Sequence, residues 1–352
     1  MATAGFLDDS WFNRTFWMYA TVWPGWYQDP AVLVTHSLTI LSLEGPDSTT
    51  LDGQGSVLTL EFNSVATSAI VDGFTFVAGF NPGVGGSIKV AHSARATVRN
   101  CRFTSHTNIA LVAGSVGRVT IEDCIFDGNT APTTAGAIYV SGSRTRVEAS
   151  RCIFTGNSAI GYGGAISVVA GGYLQAIDSE FRDNVVTGSG NSNAGGAISA
   201  DQSSDVDIER CLFVGNTAYL ASAVRCYGPS ITNNTFHANI GVWAGGSEAV
   251  AAASSNVVGN IFSENVGWGL HIYETGTHSC NVYWNNTKGP LVPDGVLSPD
   301  EVVADPQYCN AGIGDFRVST ASAAAPASNP CSQLVGAFAI GCTTGVDPAI
   351  MV

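Results

Sequence analysis

The sequence predicts an all-β protein: a single-stranded, right-handed parallel β-helix of about nine to ten rungs with a cap at each end. Three observations carry this. First, an aromatic, two variable residues and an asparagine recur as Phe126–Asn129, Phe154–Asn157, Phe181–Asn184, Phe213–Asn216, Phe236–Asn239 and Phe262–Asn265, with Tyr283–Asn286 as a variant. Second, a glycine-led phrase follows each aromatic, as Ala135–Ile138, Gly163–Ile166 and Gly195–Ile198, with looser copies at Gly85–Ile88, Ala221–Val224 and Gly269–Ile272. Third, the stretches between them alternate apolar and polar residues with period two, the pattern of half-buried strands. Successive aromatics from Phe76 to Tyr283 lie 21–32 residues apart. Propeller blades run longer, at about 40 residues.

The elements follow in order. Residues 1–30 hold Trp11, Trp17, Trp23 and Trp26, and a Pro-Gly corner at Pro24-Gly25. They are read as an aromatic cap or first turn, because the open end of a solenoid exposes core and unpaired strand edge. Residues 31–290 are the repeats. Counting back from each aromatic, positions −7, −5, −2 and 0 are apolar or small: Val119, Ile121, Cys124 and Phe126 in one copy, Val206, Ile208, Cys211 and Phe213 in another. The break in alternation between −5 and −2 predicts a corner. The glycine phrase supplies a third strand, since glycine lets the chain turn sharply and approach its neighbour closely. Stacked about 4.8 Å apart, the rungs place like on like. Phenylalanines would stack, and asparagine amides would bond continuously up the interior. His106 stands in for the asparagine after Phe103. Residues 291–352 leave the repeat and read as a C-terminal cap laid along the last rungs.

Composition narrows the function. Only 12% of residues are charged and 45% are hydrophobic, which suits a packed repeat protein and not a disordered chain. The net charge is −14, with lysine only at Lys89 and Lys288. That argues against nucleic acid and anionic lipid, which need a concentrated basic face. No apolar run approaches the ~20 residues of a membrane-spanning helix. No secretory leader is visible, and the expectation is an extracellular or cell-surface protein whose signal peptide is absent from this chain.

Chemistry is sought next. Position −3 reads Asn100, Asp123, Arg151, Asp178, Arg210 and Asn233, an alternation that predicts cross-rung ion pairs on a solvated face. Asp123 with Asp127, and Asp178 with Asp183, are the acid pairs that could instead face a groove at glycosidase spacing, ~5–9 Å. None of the six histidines has metal-ligand spacing, and no metal site or cofactor is expected. Cys101, Cys124, Cys152 and Cys211 share position −2 and read as a buried ladder of small residues. Cys309, Cys331 and Cys342 lie in the tail, where two of them would pair in an exported protein. Trp243, Trp268 and Trp284 fall in the last rungs, as a seal for the solenoid end or, if exposed, a sugar-stacking platform.

The paired phrases, over about residues 60–290, resemble the repeats of chlamydial polymorphic outer-membrane proteins and, more broadly, the right-handed β-helix superfamily of pectate-lyase-like proteins. The first resemblance implies a surface adhesin. Pectate lyases imply acidic calcium clusters and a catalytic arginine or lysine; polygalacturonases imply Asn-Thr-Asp, an Asp pair, Gly-His-Gly and Arg-Ile-Lys, and none of these phrases occurs here. The last forty residues resemble the closing segment of secreted bacterial β-helix proteins. The reading that follows is a non-catalytic binding, adhesion or structural module with a polysaccharide or another cell-surface partner. Its alternative is a polysaccharide lyase or glycoside hydrolase working in a groove on one face, with calcium if a lyase. An acid cluster meeting an unpaired arginine or lysine in a groove would favour the enzyme. Evenly alternating charges would favour the binding module.

Overall fold

The structure is a computed structural model that describes residues 18–22, 25–28, 32–34, 36–53, 60–64, 68–78, 86–190, 193–292 and 295–343. Each turn of chain contributes one strand to each of three long sheets. The first runs from Met18–Val22 to Thr277–Ser279, the second from Gly25–Gln28 to Val302–Val303, and the third from Val32–Val34 to Gly289–Leu291. They contain 11, 12 and 11 strands. A fourth, narrow sheet of two-residue strands runs from Thr130–Ala131 to Ile240–Gly241. The fold is therefore a right-handed parallel β-helix of about 11 turns. The repeat phrase undercounts because early rungs lack it: Leu51 occupies the aromatic slot below Phe76. Met18–Val22 and Gly25–Gln28, expected within a cap or first turn, pair in parallel with Leu38–Ser42 and Thr49–Asp52 and so form a rung. Trp11, Trp17 and Trp23 lie outside the described residues.

The corners fall where the alternation breaks. Asn100, Asp123, Arg151, Asp178, Arg210 and Asn233 all have φ of 50–55°. Asparagine and aspartate tolerate this left-handed region better than most residues. The next corner is turned inside the aromatic phrase, by Gly128, Gly156, Asp183 and Gly215, all with positive φ.

Inside, like residues stack as expected. Phe76, Phe103, Phe126, Phe154, Phe181, Phe213, Phe236, Phe262 and Tyr283 form one column with ring centroids 4.6–5.2 Å apart. The asparagines form a second. Nδ2 of each donates to Oδ1 of the next, from Asn129 to Asn157 (2.9 Å), Asn184 (2.9 Å), Asn216 (3.0 Å), Asn239 (3.0 Å), Asn265 (2.9 Å) and Asn286 (2.8 Å). His106 starts this column, with Nδ1 2.8 Å from Asn129 Oδ1. A further column went unread in the sequence: Asn234, Asn260 and Asn281, ending on the Glu301 carboxylate at 2.7 Å. Glu301 also accepts from Tyr283 Oη and the Ser298 N–H and meets His278 Nδ1. Burial pushes its pKa up, but these hydrogen bonds outweigh burial and hold it low.

The cysteine ladder is buried, and burial pushes the Cys152 and Cys211 thiols up to about 12, so they are inert small apolar groups. The tail strands Tyr308–Asn310, Asp315–Ser319 and Ile340–Cys342 form a small sheet. Val318, Ala324 and Val335 pack on Ile261 and Val282 of the second sheet. The tail thus lies along the flank of the last rungs. Cys309 pairs with Cys342. Two of the three tail cysteines thus pair with each other, and the third, Cys331, pairs with Cys280 of the last rung. Cys280 occupies the −3 corner of its rung with φ +56°, which turns its side chain outward to meet the tail.

Candidate functional site

The acids singled out by sequence lie on corners of the solenoid surface. Asp123 makes a two-point pair with Arg151 (2.8 and 2.9 Å), and Asp178 does the same with Arg210 (2.7 and 3.1 Å). The Arg151 guanidinium holds the Asp123 carboxyl below its ordinary range. Asp127 and Asp183 are exposed on the following corner. Trp243 and Trp284 are 41% and 36% exposed, so they do not seal the solenoid. Trp243 and Trp268 flank the turn at Gly245 and Gly246, whereas Trp284 belongs to the second sheet; the three do not form one platform.

The structure instead opens a cleft of about 450 Å³ on the outer face of the third sheet. Its floor comes from the strands Ile166–Val169, Ile198–Ala200 and Val224–Tyr227. In these strands Ile166, Val168, Ile198, Ala200, Val224 and Cys226 point into the core, so the alternate residues Ser167, Ser199 and Arg225 point out in one column, joined by register. The column continues through Ala251 to His271. The neighbouring column carries Tyr227, Ala253 and Tyr273. Tyr162, from the loop before the glycine phrase, makes one wall; Asp201, Gln202 and Ser203, at the opposite end of the strands, make the other.

Three features give this cleft chemical character. Arg225 lines it and, among the described residues, has no carboxylate within ion-pair distance. Ser167 is 1% exposed, and its Oγ, buried beneath the floor of the cleft, has no hydrogen-bond partner among the described residues. Glu248 borders the site, 5% exposed. Burial raises its carboxyl from 4.5 to about 7, although hydrogen bonds to its own backbone and that of Ala221, and the Arg225 charge, pull it back down. Burial lowers the His271 pKa, so its imidazole is neutral at pH 7, and burial raises the Tyr273 phenol. The His271 and Tyr273 rings lie 3.9 Å apart.

Glu248 makes fold stability depend on pH. Its folded pKa is raised, so its contribution is fully present below about 4.5 and is lost as pH rises through about 7. Wild type should lose on the order of 3 kcal/mol between these limits through this group. Glu248→Gln should flatten the loss. Urea midpoints of both proteins at pH 5 and pH 8 check this; a wild-type-minus-variant difference that stays constant with pH would refute it.

The cleft's carboxylates do not fit a calcium site. Asp201 already accepts from the N–H groups of Ala170 and Ser203 and from the hydroxyls of Ser203 and Ser204. Burial favours a protonated Glu248. Elsewhere among the described residues, Cys280, Cys331 and Asp300 come within 4.8 Å of one another, but the two sulfurs are joined as a disulfide.

Sequence reasoning missed Arg225, Tyr227, Glu248 and Ser167 because it stacked the rungs on the aromatic alone. Stacking the glycine phrase, and reading the residue after its Ile or Val, brings Ser167, Ser199 and Arg225 into one column; the loose copy at Gly269–Ile272 is two residues out of register, so His271 is reached only through strand pairing.

A family model described as right handed beta helix region matches residues 49–186 and 171–287. No curated protein matches. Among solved structures, a PL6 alginate lyase in complex with a trisaccharide is 12% identical, with a TM-score of 0.50, over 94% of this chain and 90% of that one. Another PL6 family alginate lyase is 13% identical, with a TM-score of 0.39, over 90% of this chain and 54% of its own. At these identities the likeness is one of fold.

Proposed function

We propose that this chain, which belongs to the right-handed β-helix family, is a polysaccharide lyase that cleaves a uronate-containing polymer in the cleft of the third sheet. The observation that carries this is Arg225: a cation with no ion-pair partner among the described residues, in a groove beside a buried carboxyl and several phenols. The solved relative of similar length is described as an alginate lyase holding a trisaccharide, which supports the same substrate class. Two disulfides support an extracellular setting.

Elimination needs the C5 proton of a uronate to become acidic. The Arg225 fork would hold the C6 carboxylate and offset the charge that develops on it when the C5–H bond breaks. Tyr227 stands two residues along the same strand on the same face, placed to take that proton and return it to the departing O4. The C4–O bond breaks, a C4=C5 double bond forms, and the proton leaves with the new hydroxyl end. Ser167 and Ser199 are small and buried, and leave the floor low enough for a sugar ring.

A panel of acidic and neutral polysaccharides, each with and without calcium, tests the reading by ultraviolet absorbance of unsaturated products. Acidic polymers should yield them and neutral ones should not. New reducing ends without that absorbance would replace the lyase with a hydrolase. Binding without either product would restore a non-catalytic surface module.

A further inference from the structure

The arginines of this acidic chain are not spread like its acids. Among the described residues, eight cationic side chains hold a carboxylate within 4.0 Å. Three that do not, Arg95, Arg118 and Arg144, gather with Arg146 on one strip of the first sheet. Arg95, Arg118 and Arg146 are direct partners in consecutive strands, so their side chains leave the same face at steps of about 4.8 Å. Arg144 joins them from the turn before Arg146, with φ +67°. Arg95, Arg118 and Arg144 are exposed. Ser68 precedes the column, and Tyr173 ends it with its ring centroid 4.0 Å from the Arg146 guanidinium carbon.

Among the described residues, none alongside forms an ion pair with Arg95, Arg118 or Arg144. The adjoining outward row on these strands is Thr97, Thr120 and Glu148. Glu148 is already bonded to Arg146. Asp205 stands two rungs beyond Arg146, past Tyr173. Like charges directly opposite on neighbouring strands repel. Where this solenoid uses arginine structurally, it sets an acid on the adjacent rung, as Asp123 meets Arg151 and Asp178 meets Arg210. Along Arg95 and Arg118 it does not. In a chain of net charge −14, solubility does not explain an in-register stack of the minority charge.

We infer that Arg95, Arg118, Arg144 and Arg146 form a second binding site, outside the cleft, for a linear polyanionic polysaccharide with one acidic group per sugar. Such a chain laid along the solenoid axis advances by about one rung per ring, so its charges meet the arginines in step. The guanidinium groups of Arg95, Arg118 and Arg144 can then each offer a two-point fork to a carboxylate or sulfate, with Arg146, bonded to Glu148, closing the row. Duplex DNA presents a charge every ~1.7 Å of axis, out of step with the rungs, and the acidic remainder of the surface repels so dense a polyanion. The strip and the cleft lie on different sheets, and the inference stands whether or not the cleft is catalytic.

The test compares wild type, the triple variant R95Q/R118Q/R144Q and R225Q for binding of long-chain alginate and polygalacturonate at several salt concentrations. The substitutions are on exposed side chains, and melting temperature should hold or rise as repulsion is relieved. The triple variant should bind long chains at least tenfold more weakly at low salt, with a flattened salt dependence. Its turnover or binding of a uronate trisaccharide in the cleft should be unchanged. R225Q should keep most of the long-chain affinity. Wild-type affinity in the triple variant would overturn the site. So would loss of long-chain binding in R225Q alone, or equally tight, equally arginine-dependent binding of a DNA duplex of the same length.

Discussion

Replacing Asn184 with alanine is expected to destabilise the fold by about 5 kcal/mol. Asn184 sits at the centre of the asparagine column and is fully buried. Its Nδ2 donates to Phe154 O (2.9 Å) and Asn216 Oδ1 (3.0 Å), and its Oδ1 accepts from the N–H (3.1 Å) and Nδ2 (2.9 Å) of Asn157. Truncation leaves two Asn157 donors buried without partners, at about 1–3 kcal/mol each, and opens a cavity beside them. An exposed pair such as Asp123–Arg151 contributes about 0–1 kcal/mol. A rung in a solenoid touches only its neighbours, so weakening one in the middle should also uncouple the two halves and broaden the transition. Urea unfolding followed by far-ultraviolet circular dichroism measures both. A change below about 1 kcal/mol would mean that the column is a consequence of stacking and adds little to it.

That column also shows why the scaffold was legible and the cleft was not. A solenoid requires the same residue at the same phase, because each rung is the template for the next; Phe126 must meet Phe103 and Phe154 in register. Repetition in space becomes repetition in sequence, and the aromatic phrase reads out directly. The −3 corner was legible for the same reason, its Asp123–Arg151 and Asp178–Arg210 pairs following from alternation of sign. A binding site is a departure from repetition. On the third sheet the outward column changes from Tyr139 to Ser167, Ser199, Arg225, Ala251 and His271, and no periodic template reports such a change. Cys280 failed to register for a related reason. It takes a corner slot held elsewhere by Asp123 or Arg210, and its partner Cys331 lies in a segment with no repeat to give it a phase.

Arg225→Ala is expected to reduce kcat/KM on a uronate polymer by about a hundredfold to a thousandfold, in line with removing a donor aimed at charge that develops in a transition state. The loss should fall on kcat more than on KM, because a carboxylate bears more charge once C5 gives up its proton than before. The protein should remain folded: Arg225 has no ion-pair partner among the described residues, so its removal leaves no carboxylate stranded. The Arg225 charge is the smallest of the influences on Glu248, whose carboxyl is governed mainly by burial. Arg225→Lys keeps the charge but not the planar fork, and should recover only a minor part of the rate. A polymer whose carboxyls are methyl esters separates catalysis from structure. An ester needs no cation to offset it before the proton leaves, so Arg225→Ala should cost much less on the ester than on the acid. Equal losses on both substrates would show that Arg225 shapes the cleft without touching the reacting carboxylate, and would leave the elimination without the group proposed to drive it.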